Sequence, residues 1–376
     1  MYDYLIIGAG ISGTAAAYEL AAHGTVLLIE AETTPGYHST GRSAALFTRN
    51  YGNDVVRRIN QASHDFFLGP PAGFCEHPLL TPRESLTIAG PGQEAGLDAI
   101  LQLSAPGHEI EPVTAAKALR LAPVLRPERV AMAAHEPGVT DIDVAGLHQG
   151  YLRGLRQRGG QLLCGMRVEH LAQIAGGWQA TAGEKVVTGR IIVNAAGAWA
   201  GHVGNMAGAA SIGLVPKRRT AIVVDAPEGI NVADMPAVDF IGSDAYLKPD
   251  AGRIMASPGD QTPSEPQDCQ PDEFDVAVLA DWLETETLVK VRRIGSSWAG
   301  LRSFVADESP VVGFDSKAGG FFWLAGQGGY GIMMAPALAQ AAAGLILNDA
   351  LPDVLTMTGS SKADLDPARS GLQAGC

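Results

Sequence analysis

Asp3-Tyr-Leu-Ile-Ile-Gly8-Ala-Gly10-Ile-Ser-Gly13, then a helical run over residues 14–23, then Thr25-Val-Leu-Leu-Ile-Glu30, is the stretch that decides the fold. It reads as strand, glycine turn, helix, second strand and acid, the order of a βαβ dinucleotide-binding unit. Gly8 makes the tight turn. Gly10 has no Cβ, so a pyrophosphate can approach the backbone, and Gly13 lets helix and strand pack closely. The helix N-terminus offers unpaired N–H groups and a positive dipole end to that anion. Glu30 ends the second strand, where a carboxylate accepts from both ribose hydroxyls of an adenosine and repels a 2′-phosphate. The expected ligand is a dinucleotide with a free ribose, FAD or NAD.

Bulk properties narrow the class. A chain of 376 residues is typical of two domains. With 46% hydrophobic and 18% charged residues it is globular rather than disordered. Its 46 glycines, against an ordinary share of about 7%, point to many tight turns and close backbone–ligand approaches. A net charge of −13 leaves no electrostatic reason to bind nucleic acid or an anionic membrane. Cys75, Cys164, Cys269 and Cys376 are scattered with no C-x-x-C, as expected of reduced thiols in a cytoplasmic protein. Cys75-Glu76-His77 is too short and isolated for a metal site, and no metal is expected. The first strand starts at about Asp3, which leaves no room for a signal peptide. No 18-residue apolar run stands out, so no membrane-spanning helix is expected. The expected location is the cytoplasm, or the periphery of the inner membrane.

Periodicity predicts helices over residues 53–68, 94–103, 143–158, 274–286 and from 331 to about 347. Asp141 or Asp143 caps the third of these. Strands are predicted over 85–89, 161–174, 178–182 and 186–194, with an antiparallel meander over 212–225, 237–241, 245–248 and 253–256. Further strands follow around 291–304 and 321–324, and 260–272 reads as a Pro/Ser/acid-rich loop. The dinucleotide unit sits at the N-terminus, yet buried, parallel-looking strands return near Ile192 and Phe322. The expected fold is therefore α/β. A Rossmann-like FAD-binding domain is assembled from residues 1–47, 141–210 and 303–350. A substrate domain with a mainly antiparallel sheet flanked by helices comes from 48–140 and 211–302. Residues 351–376 read as a loose polar tail.

Two more glycine segments separate FAD from NAD. Val193-Asn-Ala-Ala-Gly197-Ala-Trp199 ends a buried strand on small residues that let a flat ligand or its phosphates pass. Gly326-Gln-Gly-Gly-Tyr-Gly331 is a second strand–glycine loop–helix junction. A helix N-terminus there stabilises the negative charge of a reduced flavin, whereas oxidised nicotinamide is positive and gains nothing from it.

These segments, with Gly41-Arg42-Ser43, residues 307–313 and residues 326–333, resemble the D-amino-acid oxidase, glycine oxidase and sarcosine oxidase superfamily of FAD enzymes. Residues 36–45, 70–80, 147–154, 246–252, 298–307 and 327–332 resemble in particular the bacterial FAD-dependent D-arginine dehydrogenases. That resemblance implies non-covalent FAD held by Gly8, Gly10, Ile11, Ser12, Gly13, Glu30, Ala31, Ser39, Thr40, Gly41, Arg42, Ser43 and Ala44. Val168, Ala196, Gly197, Trp199, Arg302, Gly329, Tyr330, Gly331, Ile332 and Met333 complete the cofactor set.

An amino-acid substrate needs its carboxylate clamped, and arginine matches a carboxylate with two hydrogen bonds. Lys217 and Arg219 share one strand face while Arg218 points the other way. The resemblance places Arg219 and Arg302 at the carboxylate, Tyr51 and Tyr246 beside them, and the Gly329 carbonyl at the amine. It implies oxidative deamination of D-amino acids. A Cα hydride passes to flavin N5, and the imino acid hydrolyses to a 2-oxo acid and ammonia. Electrons then go to a quinone or another carrier.

The side-chain pocket departs from the arginine-preferring relative. Ser85 stands where that relative has Glu; Glu84 is one residue earlier, and a one-residue shift on a strand reverses the face. Leu46 replaces a His and Met333 a Gln, while Ala237 and Asp239 stand in place of larger apolar residues; Thr48 completes the pocket. The clamp is kept and the pocket rebuilt, so the expected preference moves away from arginine, with Asp239 a possible cation partner if it faces inward. The alternatives at this point are an FAD-dependent 2-hydroxy-acid dehydrogenase, a D-amino-acid oxidase using oxygen, a flavin-binding protein without activity, and an NAD-only enzyme.

Overall fold

A computed structural model describes residues 1–372; Cys376 lies outside them. Two large sheets carry the molecule. The first has eight strands, in the order His170–Ile174, Gly177–Ala182, Lys185–Asn194, Tyr2–Ile7, Val26–Ile29 and Gln161–Leu163. Phe321–Ala325 joins Lys185–Asn194, and Val311–Phe314 joins Phe321–Ala325. The central pairings are parallel: Leu5 lies beside Leu27 and Ile192, and Ile192 beside Phe321.

Parallel strands are covered on both faces, and here the alternation is visible. Ile6, Leu28, Val193 and Phe322 face one core with helices Ile11–Leu20, Asp54–Leu68, Val144–Gln157 and Gly331–Asn348. Leu5, Leu27, Ile192 and Phe321 face the other, which helix Ala200–Met206 helps to cover. Ala15, Ala16 and Ala17 are fully buried, so the first helix sits close to its neighbours.

The second sheet has nine strands, in the order Thr262–Pro263, Val215–Val224, Arg253–Ser257, Tyr246–Asp250, Ala237–Phe240, Ser85–Ala89, Met132–Glu136 and Glu111–Thr114. Ser296–Phe304 runs along the other side of Val215–Val224. All pairings are antiparallel except Ala237–Phe240 with Ser85–Ala89. Leu46–Phe47, Thr140–Ile142 and Leu80–Pro82 form a small third sheet where the chain crosses between the two large ones.

Several expectations are corrected. Helix Asp54–Leu68, assigned from sequence to the substrate part with 48–140, buries Val56, Ile59 and Phe67 in the core of the first sheet. The predicted strand 161–174 is two strands, Gln161–Leu163 and His170–Ile174, in the same sheet. The loop 260–272 contributes the short strand Thr262–Pro263 against Lys217 and Arg218. Helix Gly331–Asn348 has 18 residues of mean hydropathy 1.4, long and apolar enough to cross a membrane, against the expectation that no segment would be. Its buried face packs in the first core with Ile11–Leu20 and Asp54–Leu68.

The tail is not loose over its described length. Leu355 and Leu365 are fully buried and Leu372 nearly so. Arg369 reaches both Asp307 carboxylate oxygens at 2.7 and 2.9 Å, and the carbonyls of Ser309 and Pro310. Composition missed this because three leucines and one arginine do the anchoring in an otherwise polar segment.

Candidate active site

One cavity of about 860 Å³ runs from the N-terminal glycine loop to the second sheet, near the upper end of small-molecule sites, roughly 300–1,000 Å³. Gly8, Gly10, Ile11, Ser12, Glu30 and Ala31 line one end. Gly8 has φ +100°, and a Cβ there would lie 2.5 Å from the Ala195 carbonyl oxygen, so only glycine fits between the two strands. Gly13 does not reach the cavity: a Cβ on it would meet the Gly8 oxygen at 1.8 Å, so its part is helix–strand packing. The Glu30 carboxylate is fixed by the Ala9 N–H at 2.7 Å and the Glu32 N–H at 2.9 Å.

Ser39, Thr40, Arg42, Ser43 and Ala44 line the middle. The Thr40 hydroxyl accepts from the Ile11 N–H at 3.0 Å, and Ser39 Oγ donates to the Leu301 carbonyl at 2.6 Å. Arg42 lines the cavity too, but its guanidinium is engaged by the carbonyls of Cys269 and Ala299 and by the Asp268 carboxylate. It therefore ties the 260–272 loop and strand Ser296–Phe304 to this segment. Gly41 is off the wall, its N–H bonded to the Gly36 carbonyl at 2.7 Å. Val168, Ala196, Gly197 and Trp199 complete this side, with Trp199 packed on His38 at 4.6 Å between ring centres.

At the far wall stand Gly329, Gly331, Ile332 and Met333, the first turn of helix Gly331–Asn348 and the loop before it. No side chain caps this helix. Gln327 also lines the wall, and its Nε2 is buried without a partner. Tyr330 is a further correction. It is buried behind the wall, edge-on to Tyr51 at 5.0 Å, and burial pushes its hydroxyl up to about 12.

Register brings the two arginines together. Arg219 stands opposite Gly300, and Arg302 opposite Lys217, on antiparallel strands. Residues two apart share a face, so Arg219 and Arg302 are diagonal neighbours, and both line the cavity. Arg218 points the other way, to Asp275 at 2.6 Å, Asp260 at 3.5 Å and Asp272 at 3.6 Å. Arg219 Nε donates to the Asp260 carbonyl at 2.9 Å. Neither Arg219 nor Arg302 pairs with a carboxylate among the described residues. Burial, and then the Arg302 charge, hold Arg219 below its ordinary value. Tyr51, 47% exposed, stands at the cavity mouth, and Tyr246 also lines the cavity.

Leu46, Thr48, Ser85, Ala237 and Asp239 line the side-chain end, with Met333. Asp239 pairs across strands with Tyr246 and shares its face, so it does turn inward. Burial, reinforced by the nearby Glu136 and opposed by Thr87, pushes Asp239 up to about 6. Glu84 precedes strand Ser85–Ala89 with φ +65°, outside the strand's alternation; it is off the cavity wall and meets His135 Nε2 at 2.8 Å. Behind Thr48, which donates to it at 2.6 Å, lies Glu136; Asn50 donates to it at 2.9 Å. The sequence reading missed that pair because Glu136 sits on a strand far along the chain from Thr48.

Two glycine-rich helix starts and a carboxylate ending the second strand, around one large cavity, are the features of a dinucleotide-dependent redox enzyme. The chain belongs to DAO, the FAD dependent oxidoreductase family, whose model matches residues 3–345. Its fold is similar to glycine oxidase from Geobacillus kaustophilus, with 21% identity, a TM-score of 0.76, and 92% of this chain and 94% of that one covered. It is similar also to L-proline dehydrogenase from P. horikoshii, with 21% identity, a TM-score of 0.81, and 97% and 96% covered. The FAD-dependent oxidoreductase domain-containing protein 1 of Xenopus laevis is 27% identical over 180 residues, 42% of this chain. The matched stretch spans 35% of that relative's length.

Proposed function

We propose that this FAD enzyme oxidises the Cα–H of a D-amino acid and passes the electrons to an acceptor other than oxygen. The observation that carries the reading is the Arg219–Arg302 pair, two cations on one cavity wall with no carboxylate of the described chain between them. Leaving such charges unpaired costs stability, and a substrate carboxylate removes that cost. The solved neighbours named above are a glycine oxidase and an L-proline dehydrogenase, which favours an amino-acid substrate, while the fold, shared by an L-alpha-glycerophosphate oxidase, fixes neither substrate nor hand.

FAD fits the residues present: Glu30 for the ribose, the Gly10 N–H for the pyrophosphate, and the uncapped start of helix Gly331–Asn348 for the flavin edge. When bound it supplies a two-electron acceptor. The chain does the rest by positioning. Arg219 and Arg302 fix the carboxylate, the Tyr51 and Tyr246 hydroxyls flank it, and the Gly329 carbonyl accepts from the amine. The amine proton leaves to water or to one of those hydroxyls. Ser85, Leu46 and Met333 lower the polarity of the side-chain end, and Asp239, protonated below about 6, favours a cation only once it ionises. Side chains less basic than arginine suit that pocket.

The test is anaerobic mixing of the yellow holoprotein with a panel of D- and L-amino acids, followed by steady-state assays with an artificial acceptor alongside oxygen uptake. Flavin bleaching by D-Leu, D-Met or D-Phe is expected, with slow oxygen uptake. Bleaching by 2-hydroxy acids and by no amino acid would overturn the substrate; fast oxygen uptake would overturn the acceptor.

A further inference from the structure

His148 lies on helix Val144–Gln157, is only 4% exposed, and belongs to no step described above. Its Nε2 is 2.9 Å from the carbonyl oxygen of Ala9, inside the first glycine loop. A carbonyl only accepts, so Nε2 carries a proton. Burial holds the ring's ionisation below the ordinary histidine value, which favours the neutral form. The ring also lies against Gly36: a Cβ there would come within 3.0 Å of Cε1. Gly36 starts the segment whose carbonyl holds the Gly41 N–H. One buried ring thus braces both loops that line the dinucleotide end of the cavity.

The consequence lies in the geometry of one peptide. In a trans peptide the C=O of residue i and the N–H of residue i+1 point in opposite directions. With the Ala9 carbonyl drawn toward His148, the Gly10 N–H is aimed the other way. Gly10 lines the cavity, and its N–H has no partner among the described residues. The residue before is fixed as well, by its own N–H on Glu30 Oε2. We infer that His148 is a positioning residue for FAD. Its Nε2–H sets the plane of the Ala9–Gly10 peptide and so aims the Gly10 N–H at the pyrophosphate.

The test compares His148→Gln, whose amide donor extends about as far as Nε2, with His148→Asn, which has the same chemistry on a shorter arm, and with His148→Leu. FAD affinity of the apoprotein is read by flavin fluorescence, and the pyrophosphate environment by phosphorus NMR of the holoprotein. Thermal melting without FAD reports the fold. The expected result is that the Asn and Leu variants bind FAD about tenfold or more weakly with displaced pyrophosphate resonances, while the Gln variant stays within about threefold of the parent. Gln and Asn differ only in reach, so a Leu variant that fails to fold leaves the comparison intact. The inference is overturned if the Asn variant matches the parent in affinity and phosphorus spectrum. It is also overturned if the Gln variant is as weak as the Asn variant while melting like the parent.

Discussion

The Arg302 guanidinium lies against the backbone of Gly329: a Cβ built there would be 2.9 Å from Nη1 and 3.2 Å from Cζ. One lies on strand Ser296–Phe304 of the second sheet, the other in the loop that leads from strand Phe321–Ala325 of the first sheet into helix Gly331–Asn348. Their contact joins the anion clamp to the cofactor wall. Gly329 has no positive φ, so alanine is tolerated by the backbone and excluded only by the arginine. Gly329→Ala is expected to leave thermal stability within about 1 kcal/mol of the parent, because a flexible side chain can yield. The displaced guanidinium should lower kcat/KM by about tenfold or more, since a small misplacement is costly in a clamp. An unchanged kcat/KM would separate Arg302 from substrate.

Arg219→Met and Arg302→Met test the pair directly. Each should lower kcat/KM for the amino acid by about 30-fold or more, the equivalent of about 2–5 kcal/mol for truncating one partner of a buried charged contact. Arg302→Lys should recover little, because a single ammonium cannot make two parallel bonds to a carboxylate. Flavin content, read by absorbance, should stay at the parent level in Arg219→Met. Steady-state kinetics with KM and kcat resolved is the measurement.

Asp239 makes stability depend on pH in a defined direction. Its ordinary value is 3.8, and in the fold it holds its proton to about 6. Between these values the folded chain binds more protons than the unfolded one, so this group's contribution falls as pH rises through that window. Asp239→Asn has no proton to lose. It should match the parent at acid pH and melt higher above the window, by about 1–3 kcal/mol. Melts on both sides of the window decide it; an equal difference at both would rule it out.

The same titration should appear in substrate choice. As Asp239 ionises, a cationic side chain gains and a neutral one loses. The ratio of kcat/KM for D-Lys to that for D-Leu is expected to rise with pH through about 6 and to become flat in Asp239→Asn. Taking the ratio cancels the titrations that both substrates share.

The tail is expected to matter for stability. Burial pushes the Asp307 carboxyl up, but its bonds to Arg369 and the Ser309 N–H outweigh this and hold it below 3.8. Arg369→Met should cost about 1–3 kcal/mol near neutrality, measured by denaturant unfolding. With a depressed value in the fold, that contribution is present above the ordinary carboxylate range and lost as pH falls through it. The deficit of the variant should therefore shrink in acid.

The sequence by itself determined the local machinery. The glycine loop, the acid ending the second strand and the capped or glycine-started helices each depend on residues within one turn or one strand. Asp143 accepts from the Gly146 N–H at 2.8 Å as its position implies. Period two placed Arg218 and Arg219 on opposite faces of strand Val215–Val224. Tertiary structure alone decided the rest. That Arg219 meets Gly300, and so neighbours Arg302, is a register between strands some 80 residues apart in the chain; no local pattern encodes it. Helix Asp54–Leu68 joined the first core, the tail docked, and His148 reached Ala9 for the same reason. Each is a long-range contact whose strength comes from burial, and burial exists only once the elements far apart in the chain have packed together.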